Sequence, residues 1–221
     1  MSRRKDIIVA VHGILSGLTA PAWTSAFAHH VWSRAVGADV VQRHYVAGPF
    51  PALNVWWLNR FIARYLAAEL KAYAEDGADI FFVCHSNGAD IVLKTIRRLA
   101  ALGVRVPAAV FIGGAISCDV RTRGWGLGNG IETLLETHAL GRAIAYCSAE
   151  DRALRSRLTW PYGHLGRLGF RRAGVAYPPD AAQAARVMTR WSSGGHCGYF
   201  TPENATLTFD RILEDLNPIP F

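Results

Sequence analysis

Short, almost uninterrupted apolar runs recur along the chain and alternate with longer amphipathic stretches. The apolar runs lie at residues 7–12, 40–46, 79–85, 108–113, 142–147 and 185–191. Helix-like stretches between and after them lie at residues 22–36, 54–75, 87–102 and 203–216. Strands that are apolar throughout and alternate with helices are typical of a parallel sheet covered on both faces. The pattern therefore predicts an α/β fold: a three-layer sandwich with a mainly parallel sheet of about six strands.

Two of the helix-like stretches show a clear helical period and predict which side chains face the core. In the stretch 54–75 the residues expected to be buried are Leu58, Phe61, Ile62, Tyr65, Leu66, Leu70 and Tyr73. In the stretch 87–102 they are Ile91, Leu93, Ile96, Leu99 and Leu102, and Gly103 follows as a C-terminal glycine.

One apolar run ends in a serine. Residues 81–84 form the run, His85 and Ser86 follow, and a helix-like pattern begins directly after them. Ser86 has a small residue, Cys84, two positions before it and a glycine, Gly88, two positions after it. This spacing lets the backbone turn sharply from a strand into a helix while it holds the hydroxyl out at the bend. Because such a turn strains the backbone, a serine in it indicates a function rather than packing.

This segment resembles the nucleophile elbow of the α/β-hydrolase family, whose motif is small-x-Ser-x-Gly. Cys84 stands where the commonest form of the motif has glycine, and small residues are tolerated at that place. The resemblance covers nearly the whole chain, which is short for the family at 221 residues. It implies that Ser86 is the nucleophile of a serine hydrolase that acts through an acyl-enzyme.

A second part of the resemblance lies near the N-terminus. An apolar run at residues 7–11 is followed by His12 and Gly13, as in the family's first oxyanion loop. The resemblance implies that the backbone N–H groups of Ile14 and Asn87 bind the oxyanion. Two preorganised donors matter because the charge appears only in the transition state. Asn87 also begins a helix, and the dipole of a helix N-terminus favours an anion.

The acid of the triad follows the nucleophile in the family's chain order. Asp151 comes a few residues after the apolar run 143–147, and the resemblance implies that it orients the catalytic imidazole. Glu150 is a neighbouring alternative. Asp119, after the run 110–112, is another, because some family members carry the acid one strand earlier. We take Asp151 as the first candidate.

The base follows the acid in the same order. Of the eight histidines, only His164 and His196 come after Asp151. His196 lies in a glycine-rich loop between the run 187–191 and the C-terminal helix. Flanking glycines let such a loop carry an imidazole across the sheet edge. We expect His196 to be the general base, which takes the proton of Ser86 and returns it to the leaving group. We expect His164 to lie in a cap loop and His85 to be structural.

The length fits one domain that spans residues 1–221, because no Pro/Ser-rich linker or internal repeat divides the chain. Room for a cap or loop insertion exists only at residues 152–182. That stretch is rich in glycine and proline, which predicts loop with one short helix. Its arginines are Arg152, Arg155, Arg157, Arg167, Arg171 and Arg172.

The formal net charge is +7, and arginine supplies most of it because the chain has three lysines. A basic cap could contact an anionic surface weakly, and the alternative is an ordinary solvated surface. No zinc-finger spacing, recognition helix or stacking motif is present, so no nucleic-acid partner is expected. No run is long enough to span a bilayer and no targeting segment is evident. We expect no stable membrane insertion and a cytoplasmic location.

The four cysteines show no metal-binding spacing and need no disulfides, and we expect no cofactor or metal. The predicted function is hydrolysis of carboxylic ester bonds in a lipid or small-molecule ester, by resemblance to the family. A thioesterase and an acyltransferase use the same groups and stay open as alternatives. A non-catalytic binding module on the same fold is a further alternative, because a fold does not fix a reaction.

Overall fold

The computed structural model of the chain describes residues 6–13, 22–34, 36–45, 53–121, 128–155, 162–178 and 184–216. Within these residues, six strands form one parallel sheet: β1 (Asp6–Val11), β2 (Ala38–Arg43), β3 (Ile80–His85), β4 (Val106–Ile112), β5 (Leu140–Cys147) and β8 (Val187–Trp191). Two short strands, β6 (Arg171–Arg172) and β7 (Val175–Ala176), pair antiparallel in a separate hairpin.

The helices follow the strands in alternation. They are α1 (Ala22–Ser33), α2 (Asn59–Glu75), α3 (Gly88–Ala101), α4 (Ile131–Glu136), α5 (Leu165–Leu168) and α6 (Pro202–Leu216). A π-helical turn, Asn54–Leu58, leads directly into α2. A 3₁₀ turn, Gly198–Phe200, precedes α6.

The strand order in the sheet is β2-β1-β3-β4-β5-β8. The chain moves from β1 to β2 on one side and then returns to place β3 on the other side of β1. Ligands of open parallel sheets bind at the carboxyl ends of the strands beside such a reversal. Val11, at the end of β1, pairs in register with Cys84 near the end of β3. The segments that follow these two strands, with Gly13 and Ser86, therefore lie at the reversal point.

The sheet is buried on both faces because successive side chains of each strand point to opposite sides. Along β1, Ile7 and Val9 join one core cluster, and Ile8 and Ala10 join the other. The first cluster includes side chains of α2 and α3, and the second includes side chains of α1 and α6. The result is the three-layer α/β arrangement that the hydrophobic pattern predicts.

Three apolar side chains that the helical period placed in the core are exposed. Phe61 is 57% exposed and Tyr65 is 64% exposed on α2, and Leu102 is 47% exposed after α3. The buried residues of α2 are Asn59, Ala63, Leu66, Ala67 and Leu70, so the prediction is confirmed at Leu66 and Leu70. Small alanines let α2 approach its neighbours closely, and the bulky rings project from another side of the helix. The prediction was wrong here because it treated every large apolar residue as a core residue.

Some element boundaries also differ from the prediction. The helix expected from residue 87 begins at Gly88, and the strand expected at residues 40–46 lies at Ala38–Arg43. In the expected cap, residues 152–182, the short helix is α5, but the hairpin of β6 and β7 was not foreseen. Residues 156–161 and 179–182 of that stretch lie outside the described residues. No helix within the described ranges is both long and apolar enough to cross a bilayer.

Candidate active site

Ser86 occupies a strained turn between β3 and α3. Its φ is +54°, in the left-handed region that residues other than glycine rarely adopt. The Ser86 N–H donates to the Ile112 carbonyl at 3.0 Å, and the Ser86 carbonyl accepts from the N–H of Ala89 at 3.1 Å and of Ala115 at 3.0 Å. These bonds to β4 and α3 offset the strain, so the backbone holds the hydroxyl at the sheet edge.

The glycine of the motif is required by a close backbone contact. A Cβ added to Gly88 would lie 2.6 Å from the carbonyl oxygen of Val11. The other small position of the motif does accept a side chain, because the Cys84 thiol is buried and its sulfur lies 3.4 Å from the Val110 carbonyl oxygen. Burial raises the pKa of Cys84 well above its ordinary value. The thiol is therefore a neutral packing group beneath the elbow.

The loop after β1 contacts Ser86. A Cβ added to Gly13 would lie 2.7 Å from the Ser86 Cβ and 3.2 Å from its Oγ. Asn87 is the N-cap residue of α3, so its N–H is one of the helix-end donors that have no partner within the helix. Ile14, the other expected oxyanion donor, lies outside the described residues.

Asp151 and His196 form a hydrogen-bonded pair. The His196 Nδ1 lies 2.7 Å from the Asp151 Oδ2. The carboxylate is 1% exposed, and its Oδ1 accepts the Leu154 N–H at 3.0 Å. Because a carboxylate accepts, Nδ1 carries the hydrogen, and Nε2 is left to accept a proton. The arrangement can take up a proton at Nε2 and stabilise the resulting imidazolium.

The loop that carries His196 is anchored to the turn that carries Asp151. The Gly195 N–H donates to the Ser148 Oγ at 3.2 Å, and the Gly194 N–H donates to the Glu150 Oε2 at 3.2 Å. Gly194 has a φ of +104° and Gly195 a φ of +72°, which glycine adopts without strain. Glu150, an alternative acid, is therefore engaged with the loop backbone.

The imidazole of His196 packs on the turn after β4. A Cβ added to Gly113 would lie 3.2 Å from the His196 Nδ1, and Gly113 has a φ of +50°. Gly113 follows Ile112, whose carbonyl accepts the Ser86 N–H. His196 and Ser86 thus meet the same short segment of backbone at the carboxyl edge of the sheet.

The alternative acid Asp119 and the other late histidine, His164, bind elsewhere in the structure. Asp119 accepts two bonds from the Arg121 guanidinium, at 3.0 and 2.7 Å. Burial acts to raise the pKa of Asp119, but the bonds from Arg121 hold it below its ordinary value. His164 stands at the start of α5, and its Nδ1 contacts the Leu154 carbonyl.

His85 joins the turn that carries Ser86 to the loop that carries His196. Its Nε2 lies 3.0 Å from the His196 carbonyl oxygen. Burial, and secondly the neighbouring His196, lowers the pKa of His85 to about 3. The ring lies edge-on to His12, 5.8 Å away, and to Phe200, 5.2 Å away. Burial also lowers the pKa of His12. Both rings are therefore neutral near pH 7.

A buried amide network behind the elbow was not foreseen. The Asn59 amide of α2 donates to the Asn87 Oδ1 at 3.0 Å and to the Asp90 Oδ2 at 2.7 Å. The Asn87 amide donates to the Tyr45 hydroxyl at 3.2 Å, and the Lys94 ammonium bonds Asp90. The available signal was Asn59 itself, a polar residue at helical spacing from the buried Ala63 and Leu66.

A cleft of about 720 Å³ opens beside Asp151 and His196. It is lined by Ala149, Glu150, Asp151, Arg152, Ala153, Arg155, Gly194, Gly195 and His196. Through this cleft a small molecule can reach the surroundings of His196. Among the residues that the structure describes, no group of three or more His, Cys, Asp and Glu side chains could hold a metal ion.

The fold resembles several solved structures at low sequence identity. A protein from Xanthomonas campestris pv. campestris that is assigned to the alpha/beta hydrolase superfamily shares 14% identity at a TM-score of 0.54, over 95% of this chain and 99% of its own. The butyrate-bound esterase Est2 from Thermogutta terrifontis shares 14% identity at 0.56, over 100% and 85%. Human thioesterase 2 shares 11% identity at 0.54, over 96% of each chain.

Neither a family model nor a curated protein sequence matches this chain. The likeness lies in the fold, because it extends over at least 95% of this chain at identities of 11% to 14%. It agrees with the resemblance that the sequence motifs indicate. On these grounds the chain has the fold of the α/β-hydrolase superfamily.

Proposed function

We propose that this chain is a serine hydrolase that cleaves carboxylic ester bonds through an acyl-enzyme. The observation that carries the proposal is the 2.7 Å pair between Asp151 and His196, beside a serine held at a φ of +54°. A strained serine and a buried carboxylate–imidazole pair at one sheet edge are the parts that nucleophilic acyl transfer needs.

In the first half of the proposed reaction, the Ser86 Oγ attacks the ester carbonyl while the His196 Nε2 takes its proton. The Asp151 carboxylate keeps the hydrogen on Nδ1 and stabilises the imidazolium. The imidazolium then gives its proton to the leaving alcohol, which departs as the acyl-enzyme forms.

In the second half, water attacks the acyl-enzyme, and His196 takes the proton of the water. Collapse of the intermediate breaks the bond to Ser86, whose oxygen regains the proton from His196. The proposed oxyanion donors in both halves are the backbone N–H groups of Asn87 and Ile14. Losing one such donor typically lowers the rate by about 10²–10³.

A thioesterase is the second candidate, because human thioesterase 2 and the type II thioesterase YbtT have similar folds. The same groups would act, with a thiol as the leaving group. An acyltransferase would differ only in its acceptor, an alcohol or amine in place of water. The substrate in each case is a small-molecule or lipid acyl compound.

The test is hydrolysis of p-nitrophenyl esters from acetyl to long acyl chains, and of matched thioesters, by the wild type and Ser86→Ala. Loss of the nucleophile should lower kcat/KM on the order of 10³-fold or more. Ser193→Ala, an exposed serine in the base loop, is the matched control and should keep wild-type activity. If Ser86→Ala retained the turnover of the wild type, the proposal would be overturned. No turnover of any member would favour the non-catalytic binding module.

A further inference from the structure

A band of exposed aromatic and arginine side chains covers one side of the π-helical turn and α2. Trp57 is 80% exposed, and the Phe61 and Tyr65 rings meet edge-on, with their centroids 4.8 Å apart, on the surface. We name the band the aromatic–arginine face, and it consists of Leu53, Trp56, Trp57, Arg60, Phe61, Arg64 and Tyr65. Large rings in this number on one exposed helix are unusual, because soluble proteins rarely expose contiguous apolar patches.

The helical period explains why these side chains share one side. Positions 60, 61, 64 and 65 of α2 recur every three or four residues and so lie along one face, and Trp57 lies about one turn before them. The buried residues of α2, among them Ala63, Leu66 and Leu70, lie on another side. The face is therefore turned away from the core that α2 helps to form.

Its two arginines are charges that the described part of the protein does not neutralise. Neither Arg60 nor Arg64 forms an ion pair with a described residue. The hairpin of β6 and β7 differs, because Arg172 pairs with Glu132 and Arg171 donates to the carbonyl of Gly174. Free positive charge thus accompanies exposed aromatic area on α2 rather than in the hairpin.

We propose that the aromatic–arginine face binds the anionic surface of a lipid bilayer. Trp and Tyr rings prefer the bilayer–water interface, where an apolar ring and a polar edge are both accommodated. Arginines beside them contact headgroup phosphates, and each adds a favourable electrostatic contribution. An amphipathic helix with this composition lies in the plane of the interface.

A second copy of the chain fits the face less well. A symmetric contact would bring Arg60 and Arg64 against the same residues of the other copy, and the chain already carries a net charge of +7. An anionic bilayer supplies both the apolar region and the negative charge that the face lacks.

The face is tied to the nucleophile elbow through the buried side of the same segment. The Lys94 ammonium of α3 donates to the Val55 carbonyl at 2.8 Å. The Asn59 amide donates to Asp90 of α3 at 2.7 Å. A surface bound by α2 would therefore be held at a fixed position relative to Ser86. The proposal itself concerns binding and stands whether or not the chain hydrolyses esters.

The test is co-sedimentation of the purified full-length protein with two kinds of vesicle. One is phosphatidylcholine alone, and the other contains about 30% phosphatidylglycerol, an anionic lipid that gives the vesicle a negative surface potential. We expect binding to the anionic vesicles that weakens as salt rises. Arg60→Gln with Arg64→Gln should weaken partitioning roughly 25-fold, since each arginine contributes a factor of about five. Trp57→Ser should weaken it about tenfold.

The chain offers matched controls. Trp32 is 78% exposed on α1, so Trp32→Ser removes an equally exposed ring elsewhere. Arg98 and Arg105 are exposed, so their double Gln variant removes the same net charge. Both controls should bind as wild type does. The proposal would be overturned if a control variant lost as much vesicle binding as the variant of the face that it matches. It would also be overturned if the protein bound neutral vesicles equally well or bound neither kind. A dimer that Trp57→Ser dissociates, measured by sedimentation velocity, would assign the face to self-association instead.

Discussion

His85 and His196 are joined by a hydrogen bond from a side chain to a backbone. The Nε2 of His85 lies 3.0 Å from the His196 carbonyl oxygen, and the two ring centroids lie 4.7 Å apart. Because a carbonyl only accepts, the His85 Nε2 must carry the hydrogen. His85 directly precedes Ser86, so this bond ties the loop of the proposed base to the turn of the proposed nucleophile.

We expect His85 to be a positioning residue. His85→Phe keeps an aromatic ring beside Phe200 but removes the donor to the His196 carbonyl. It should lower kcat for a soluble ester about tenfold with little change in KM, because the base loop loses its fixed position. His85→Gln keeps an N–H donor and should recover part of the loss. A Phe variant with wild-type kcat, or a Gln variant no better than Phe, would contradict this role.

Neutral buried histidines should make the protein sensitive to mild acid. In the folded chain burial lowers the pKa of His85 to about 3 and lowers that of His12, whereas an unfolded histidine titrates near 6.5. Below that pH the unfolded chain binds more protons, so the free energy of unfolding falls as pH falls. The stability that His85 contributes is complete above pH 6.5 and is lost toward pH 3.

We expect urea unfolding between pH 6 and 4 to show a loss of about 1.4 kcal/mol per pH unit from His85. The slope should be shallower by that amount in His85→Gln, because glutamine does not titrate. His29→Gln, on an exposed position of α1, is the control and should leave the slope unchanged. A slope that His85→Gln leaves as steep as in the wild type would show that His85 does not cause it.

The sheet could be predicted because its cause is local. Each buried parallel strand needs a continuous apolar run, and the runs that end before His12 and Ser86 mark two strands that the structure pairs side by side. The elbow was visible for the same reason, since Ser86 and Gly88 are fixed by a turn of a few residues. The roles assigned to Ser86, Asp151, His196, Asn87 and Ile14 stay predictions that the experiments above address.

Contacts between residues far apart in the chain could not be predicted from the sequence. Asp119 and Asp151 follow neighbouring parallel strands, so order along the chain did not decide which carboxylate reaches His196. The partners of Asn59 lie on α3, and a helical period says only that its side chain faces inward. Phe61 and Tyr65 were misplaced because the period identifies related positions but not which side of α2 has room for a ring. The hairpin of β6 and β7 is too short to give a strand pattern.

The identity of the acid can be tested directly. Asp151→Asn should lower kcat on the order of 10³–10⁴-fold, because an amide can donate to Nδ1 and favour the wrong imidazole tautomer. Asp119→Asn is the matched control: it weakens the pair with Arg121 and should change kcat less than about threefold. Steady-state kinetics on one ester decide between them. The opposite ranking would make Asp119 the acid and leave the Asp151 pair structural.

The amide network should matter for stability and for the elbow together. Asn59→Leu removes the donor to Asn87 and Asp90, and it leaves the Asn87 Oδ1 without its partner in a region where Asn59 and Asn87 are fully buried, whereas Asp90 keeps Lys94. We expect the free energy of unfolding in urea to fall by about 3 kcal/mol, since each unsatisfied buried group costs on the order of 1–3 kcal/mol.

Lys71→Leu is the control on the same helix, because its pair with Glu75 is exposed and contributes about 0.5 kcal/mol at most. The folded Asn59→Leu protein should also show a lower kcat, because the Asn87 side chain, whose backbone N–H is the proposed oxyanion donor, loses one of its two anchors and keeps only Tyr45. A variant that loses stability but keeps kcat would confine the network to packing. A variant that keeps both would show that the leucine repacks and that the amide bonds are dispensable.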